Sequence, residues 1–167
     1  VIGSNTTEAH PLIASRIFSA RERAKLIVID PRETQIARMA DLYLSPVPGT
    51  DVAVINGLMN AIIEEGLADE AYITARTEGY EEMKALVVDY TPEKVEQISG
   101  IPAADLRAAA RMYASEKPAA ILYTMGITQH TTGTDNVKSC ANLAMLTGNV
   151  GIAGGGVNPL RGQNNVQ

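Results

Sequence analysis

The run Lys25-Leu26-Ile27-Val28-Ile29-Asp30-Pro31-Arg32 constrains the fold most: a short apolar stretch rich in β-branched residues stops abruptly at an acid, a proline and an arginine. Following the polar Ser19-Ala20-Arg21-Glu22-Arg23, it reads as a strand buried on both faces of a parallel sheet. Open α/β sheets hold ligands beyond the carboxyl ends of such strands, and Asp30 stands at that point. Its carboxylate can accept hydrogen bonds from a ribose diol or a guanine edge, and Arg32 can pair with phosphate. The alternative is that Asp30 caps the next helix and Arg32 is a solvated loop cation.

A chain of 167 residues, 46% of them apolar, suffices for one domain with a sizeable core. With no tryptophan and a single phenylalanine, that core must be built from Ala, Val, Ile, Leu and Met. The net charge of -5 and the lack of a basic stripe interleaved with aromatics argue against nucleic acid as partner. No apolar run is long enough to span a bilayer and no signal peptide is visible, so membrane insertion is not expected and a cytoplasmic location is the default. The single Cys140 excludes an internal disulfide framework and a cysteine-cluster metal site. His10 and His130, far apart in sequence, argue against a histidine metal site. Val1-Ile2-Gly3 reads as the end of a strand whose start is missing, and Gln163-Asn164-Asn165-Val166-Gln167 carries no terminal helix or strand. The expectation is therefore a piece of a larger polypeptide.

In chain order, Gly3-Ser4-Asn5-Thr6-Thr7-Glu8 leads into a helix with Leu12, Ile13, Ile17 and Phe18 as its apolar positions and Pro11 in its first turn. The amides at that start can be capped locally or can hold phosphate oxygens. Only Gly3 of a G-x-G-x-x-G fingerprint is present, so the signal for a nicotinamide dinucleotide is weak. His10 reads as a capping or packing residue. Strand, helix and the strand at 25–29 make a βαβ unit. A short helix over 33–40 precedes an edge-type strand, Asp41-Leu42-Tyr43-Leu44-Ser45, which ends in the tight Pro46-Val47-Pro48-Gly49 loop. Thr50 or Asp51 then opens an amphipathic helix to about Gly66, with Ile55, Leu58, Met59 and Ile62 on its inner face. Three strands thus end in a polar group, at Asn5, Asp30 and Asp51, which is more than capping alone requires.

Residues 69–115 read as a helical layer without chemistry of its own, its charges a solvated face. Tyr72, Tyr80, Met83, Leu86 and Val87 supply its apolar positions. Thr91-Pro92 starts one helix, Gly100 ends it, and 103–115 forms the next with Leu106, Ala110 and Tyr113 inward. A strand at 119–123 then leads into a long polar loop over 124–134, placed at the same sheet edge if that strand is parallel. Thr134 or Asp135 caps a further helix whose phase buries Cys140 with Val137, Ala141 and Ala144, as an inert core thiol. Lys138 falls in the first turn of that helix, where a cation opposes the macrodipole. It either snorkels to water or forms an anion pocket with the helix amides.

Six motifs occur in register: Gly3-Ser4-Asn5 with His10-Pro11, Val28-Ile29-Asp30-Pro31-Arg32, Pro48-Gly49-Thr50-Asp51, Met125-Gly126-Ile127-Thr128-Gln129, Leu146-Thr147-Gly148-Asn149, and Gly156-Val157-Asn158-Pro159-Leu160-Arg161-Gly162-Gln163-Asn164-Asn165-Val166-Gln167. Together they resemble the central region of a formate dehydrogenase catalytic subunit of the molybdopterin oxidoreductase family. The last motif points to formate dehydrogenases rather than to nitrate or sulfoxide reductases. The resemblance implies a Rossmann-like α/β fold, a mostly parallel sheet flanked by helices in three layers. It makes 1–167 a cofactor-binding domain whose iron-sulfur region and C-terminal domain lie outside the chain. It also implies oxidation of formate to carbon dioxide at molybdenum or tungsten held by bis(molybdopterin guanine dinucleotide), with electrons passing to a 4Fe-4S centre and an electron-transfer subunit or domain. Gly3, Asn5, Thr6, Glu8, Asp30, Pro31, Arg32, Gly49, Thr50 and Asp51 would surround one guanine dinucleotide arm. Met125, Gly126 and Gln129 would approach the pterin. The family's substrate-orienting arginine, by its Thr-Asp-x-Val-Arg-Ser pattern, would fall at Lys138, where lysine keeps the charge but loses the bidentate fork. The metal-ligating cysteine or selenocysteine would lie upstream, so no metal ligand is expected within these residues, and the isolated piece is expected to be inert. The alternatives are a relative acting on another small oxyanion and a plain nucleotide-binding or partner-docking module.

Overall fold

A computed structural model describes residues 1–161, so the Gly162-Gln163-Asn164-Asn165-Val166-Gln167 part of the last motif lies outside the described residues. The chain is an α/β fold, mostly helical, with small parallel sheets. Two short helices, α1 (Thr6–Ala9) and α2 (Pro11–Ala20), precede β1 (Ile27–Ile29). The chain continues through α3 (Gln35–Arg38) to β2 (Leu42–Leu44). β1 and β2 pair in parallel, with Val28 opposite Tyr43. A second parallel pair joins β3 (Ala120–Tyr123) to β4 (Gly156–Pro159). Ile2 forms parallel bridges to both Ile29 and Tyr123 and so joins the two pairs. The strand order is therefore β2, β1, Ile2, β3, β4, with every carboxyl end on one side. Strand alternation divides the core: Val28 packs with Leu26, Ile36 and Ala37, whereas Ile29 joins the main cluster.

The expected single helix after Gly3 is two, broken at His10, which supplies no side-chain cap to α2. Leu12, expected on the inner face, is 80% exposed, and Ala14 is the residue buried there. The kink at His10 shifts the helical phase so that Pro11 becomes the first residue of α2, as its missing N–H allows. Asp41, just before β2, accepts the Leu26 N–H at 2.7 Å and pairs with Arg21. The Arg21 hydrogen bond holds its carboxyl down at about 2.

The central element is α4 (Asp51–Glu64), buried without interruption from Ala53 to Ile62. The amphipathic reading of this helix was too narrow, because α7 (Pro92–Ser99), α8 (Ala103–Ser115) and α10 (Gly133–Leu146) all pack on it. Asn56 accepts from Ser139 Oγ at 3.3 Å and Asn60 donates to the Val87 carbonyl at 3.2 Å, while Asn60 Oδ1 is buried with no hydrogen-bond partner among the described residues. At Gly57 a Cβ would stand 2.7 Å from Val95 Cγ2 and 2.9 Å from Leu106 Cδ2, so glycine permits the close crossing. Between α4 and α7 run α5 (Glu70–Arg76) and α6 (Tyr80–Val87). Leu86, near the end of α6, is exposed at 58% rather than inward. The α7 boundaries follow the sequence signals closely: Thr91 Oγ1 accepts the Lys94 N–H at 3.3 Å, Pro92 opens the helix, and Gly100 ends it with φ +76°.

The stretch 124–134 is not one long loop. It holds α9 (Met125–Thr128), and α10 starts at Gly133 with Thr132 at its cap position, so neither Thr134 nor Asp135 caps it. Any Cβ at Gly133 would collide with the Thr128 carbonyl, and glycine is what lets α10 start this close behind α9.

Candidate functional site

The shared side of the strands gathers four turns. Gly3, after Ile2, adopts φ +56°, a conformation that side-chain-bearing residues rarely take. Its carbonyl accepts from the Gly126 N–H at 3.2 Å and from Thr124 Oγ1 at 2.6 Å. A Cβ at Gly126 would lie 2.5 Å from the Gly3 oxygen, and one at Gly3 would lie 2.8 Å from the Gly126 carbonyl carbon. The two backbones therefore abut where the first strand meets β3, and only glycine on both sides allows it.

Asp30 is buried, and its Oδ1 accepts the Arg32 N–H at 2.9 Å. The helix that follows is capped by Thr34 instead, through the Ala37 N–H at 3.4 Å. Asp30 therefore closes its own turn and is not the cap of α3. Pro31 and Arg32 are exposed. Asp51, the first residue of α4, faces the same region. Burial pushes its carboxyl above the usual range and Asp30 adds to the push, while its own backbone N–H and His130 oppose it. Two carboxylates from different strand ends thus lie close enough to repel. Gly49, with φ +87°, turns the chain ahead of Asp51, and Thr50 Oγ1 donates to the Val47 carbonyl at 2.7 Å.

His130, which sequence reasoning left outside the site, joins these turns. Its Nε2 lies 2.8 Å from the Gly126 carbonyl and 3.9 Å from Asp51 Oδ2. A carbonyl only accepts, so Nε2 carries the proton. Asn136, also missed, is buried and donates to the Ile127 carbonyl at 2.9 Å, while its own Oδ1 has no hydrogen-bond partner among the described residues. Neither residue carries a spacing signal, since each acts through a backbone carbonyl that only the folded turn presents.

The other predicted residues stand as follows. Asn5 does not cap α1; its Oδ1 accepts from Thr7 Oγ1 at 3.1 Å. Thr6 is fully buried against Ser4, with hydroxyls 2.9 Å apart, and Glu8 is exposed. Met125 is 46% exposed and Gln129 is exposed beside it. Lys138 is not drawn into the cluster: its ammonium lies 3.9 Å from Asp135 on the exposed side of α10. Arg161, just beyond β4, is an exposed cation on the side where the strands end. Cys140 is buried as expected, and burial pushes its thiol up to about 12, well above any nucleophilic range. Among the described residues no group of three or more His, Cys, Asp or Glu is placed to hold a metal ion, and no helix is long and apolar enough to cross a membrane. A cavity of about 480 Å³, lined by Ile17, Leu58, Met112, Tyr113 and Cys140 among others, contains none of the turn residues described above.

These carboxylate acceptors suit a group carrying N–H donors. The carboxylates of Asp30 and Asp51, which sense each other electrostatically, accept hydrogen bonds, and the side-chain-free Gly3–Gly126 contact leaves backbone for close approach. Residues 1–167 match the molybdopterin oxidoreductase family. The chain is 58% identical, over its whole length, to the F420-dependent formate dehydrogenase 2 subunit alpha of Methanococcus maripaludis, covering 25% of that protein. It is 49% identical, again over its whole length, to formate dehydrogenase H of Escherichia coli, covering 24% of it. Acetylene hydratase from Pelobacter acetylenicus superimposes with a TM-score of 0.86 at 33% identity, over 91% of this chain and 21% of that one. The chain thus spans about a quarter of the curated relatives it matches.

Proposed function

From a chain that belongs to the molybdopterin oxidoreductase family, we propose the cofactor-binding portion of a formate dehydrogenase alpha subunit. On this reading the strand order is that of a Rossmann-like, doubly wound sheet in three layers. The ligand crevice is then the point where the chain leaves Ile2 in one direction and β3 in the other. The single observation that carries the proposal is the convergence of Asp30, Asp51 and the Gly3–Gly126 contact at that point.

Asp30 and Asp51 then accept hydrogen bonds from the N–H groups of a guanine edge, and Asn5 and Glu8 line the start of α1 beside it, with Thr6 buried beneath them against Ser4. Pro31 and Gly49 shape the flanking turns, Thr50 holds the second, and Arg32 is free to pair with phosphate. Met125, Gly126 and Gln129 form the wall towards the pterin. The group, bis(molybdopterin guanine dinucleotide) with molybdenum or tungsten, would supply the two-electron chemistry that turns formate into carbon dioxide. Its metal ligand, a 4Fe-4S centre, a C-terminal domain and an electron-transfer partner belong to polypeptide beyond these 167 residues. A cytoplasmic enzyme without membrane insertion is the matching setting.

Two cations are candidates for holding formate or a related small anion. Lys138 stands where the family pattern has arginine. Arg161 has the planar fork that grips a carboxylate, and it follows β4 directly. Replacing each by alanine in the full-length protein separates them: the one that orients the anion raises KM for formate about tenfold or more, and the other does not.

Calorimetry on the cofactor-free protein tests the reading itself. GDP is expected to bind in preference to NADH, and Asp51→Ala to weaken GDP by about tenfold, the cost of a hydrogen bond to a charged group. Equal binding of both nucleotides would favour the plain nucleotide-binding module. Formate turnover by the isolated 167-residue chain after cofactor addition would contradict the proposal.

A further inference from the structure

One imidazole touches both ends of the proposed site. His130 Nε2 donates to the Gly126 carbonyl at 2.8 Å, Gly126 N–H donates on to the Gly3 carbonyl at 3.2 Å, and the same ring nitrogen faces Asp51 Oδ2 at 3.9 Å. The turn it holds, α9, would form the wall towards the pterin, and Asp51 the floor under the guanine. α9 carries no charged side chain, and on α10 Asp135 and Lys138 pair with each other.

We propose that His130 is a positioning residue that couples these two ends, transmitting occupancy of the Asp30–Asp51 pair to the turn at Met125–Thr128. The proposal rests on the guanine reading given above. The physical route is short. A donor ligand on Asp51 withdraws the carboxylate from the ring, the ring settles on the Gly126 carbonyl, and the α9 turn tightens against Gly3. At 3.9 Å the Asp51 carboxylate is beyond hydrogen-bond distance of the ring, so its pull on the N–H is electrostatic, and a donor ligand that engages the carboxylate leaves the N–H to the Gly126 carbonyl alone.

Hydrogen exchange on the full-length, cofactor-free protein reads this coupling without any turnover. Saturating GDP is expected to slow exchange of the α9 amides about fivefold, the equivalent of one net hydrogen bond. In H130A, and in the bulk-preserving H130L, GDP still binds through Asp30 and Asp51 within a few-fold, but the slowing at α9 falls below about twofold. H130Q retains an N–H donor and should restore most of it. Equal slowing in wild type and in whichever donorless variant folds would overturn the coupling and leave the guanine reading intact. Failure of wild type to bind GDP at all would overturn both. Loss of the slowing in H130Q as severe as in H130A would show that ring packing, not donation, is responsible, and would also overturn it.

Discussion

Asp51 sets function against stability at a single residue. It is half-buried at the start of α4, and burial and Asp30 raise its carboxyl above the usual range. A carboxyl whose folded pKa exceeds its unfolded value binds more protons when folded. Stability is therefore greatest at pH below the unfolded value and declines as pH rises through the folded one. At neutral pH the ionised, unliganded Asp51 is a net cost. Asp51→Asn removes that cost, so the variant should melt at a higher temperature than wild type at pH 7. The gain should shrink as pH falls through the carboxylate range, as thermal melts from pH 3 to 8 would show. The same variant should bind GDP more weakly. On the proposed reading, the residue that holds the ligand is also one that lowers the stability of the unliganded fold.

Among the elements, α4 differs most from what its residues suggest. The spacing of Ile55, Leu58, Met59 and Ile62 marks one apolar face correctly, and all four are buried. Nothing in that spacing reveals that the opposite face, with Asn56, Gly57 and Asn60, is covered too. Polar residues and a glycine dilute the apolar signal where helices cross closely. Gly57→Ala tests the crossing. Alanine gains about 0.5–1 kcal/mol in helix propensity, but its methyl meets the fully buried, β-branched Val95 at 2.7 Å. Overpacking of a tight core costs about 1–3 kcal/mol and should win. Urea denaturation should show a lower midpoint with an unchanged slope. Helices α7 and α8, by contrast, were legible almost to the residue, since Thr91-Pro92 and Gly100 act locally and need no tertiary partner.

Among the described residues, the two strand pairs meet through the short segment around Ile2, which bridges Ile29 and Tyr123. The Ile2 N–H donates to the Leu122 carbonyl at 2.9 Å, and the Gly3 N–H donates to Ile29 at 2.9 Å, so this short segment is hydrogen-bonded to both halves. Ile2→Ala, at a position only 5% exposed, should cost about 2–5 kcal/mol. Exchange protection should fall together in β1 and β3 rather than in one pair. The strands and their polar ends at Asp30 and Asp51 were readable because apolar runs and turn residues are local signals. Which ends face each other was not. The electrostatic influence of Asp30 on Asp51, the hydrogen bond from His130 to Gly126 and the exposed setting of Lys138 depend on strand order and helix rotation, which residues far apart in sequence decide jointly.

The abutting glycines also fix when the crevice comes into being. Gly3 is translated well before Gly126, and neither position tolerates a Cβ against the other's backbone. A nascent chain halted on the ribosome before β3 emerges has the two carboxylates but no opposing wall. On the proposed reading, a guanylated ligand would find both walls of its crevice only once the chain has been made past the α9 turn.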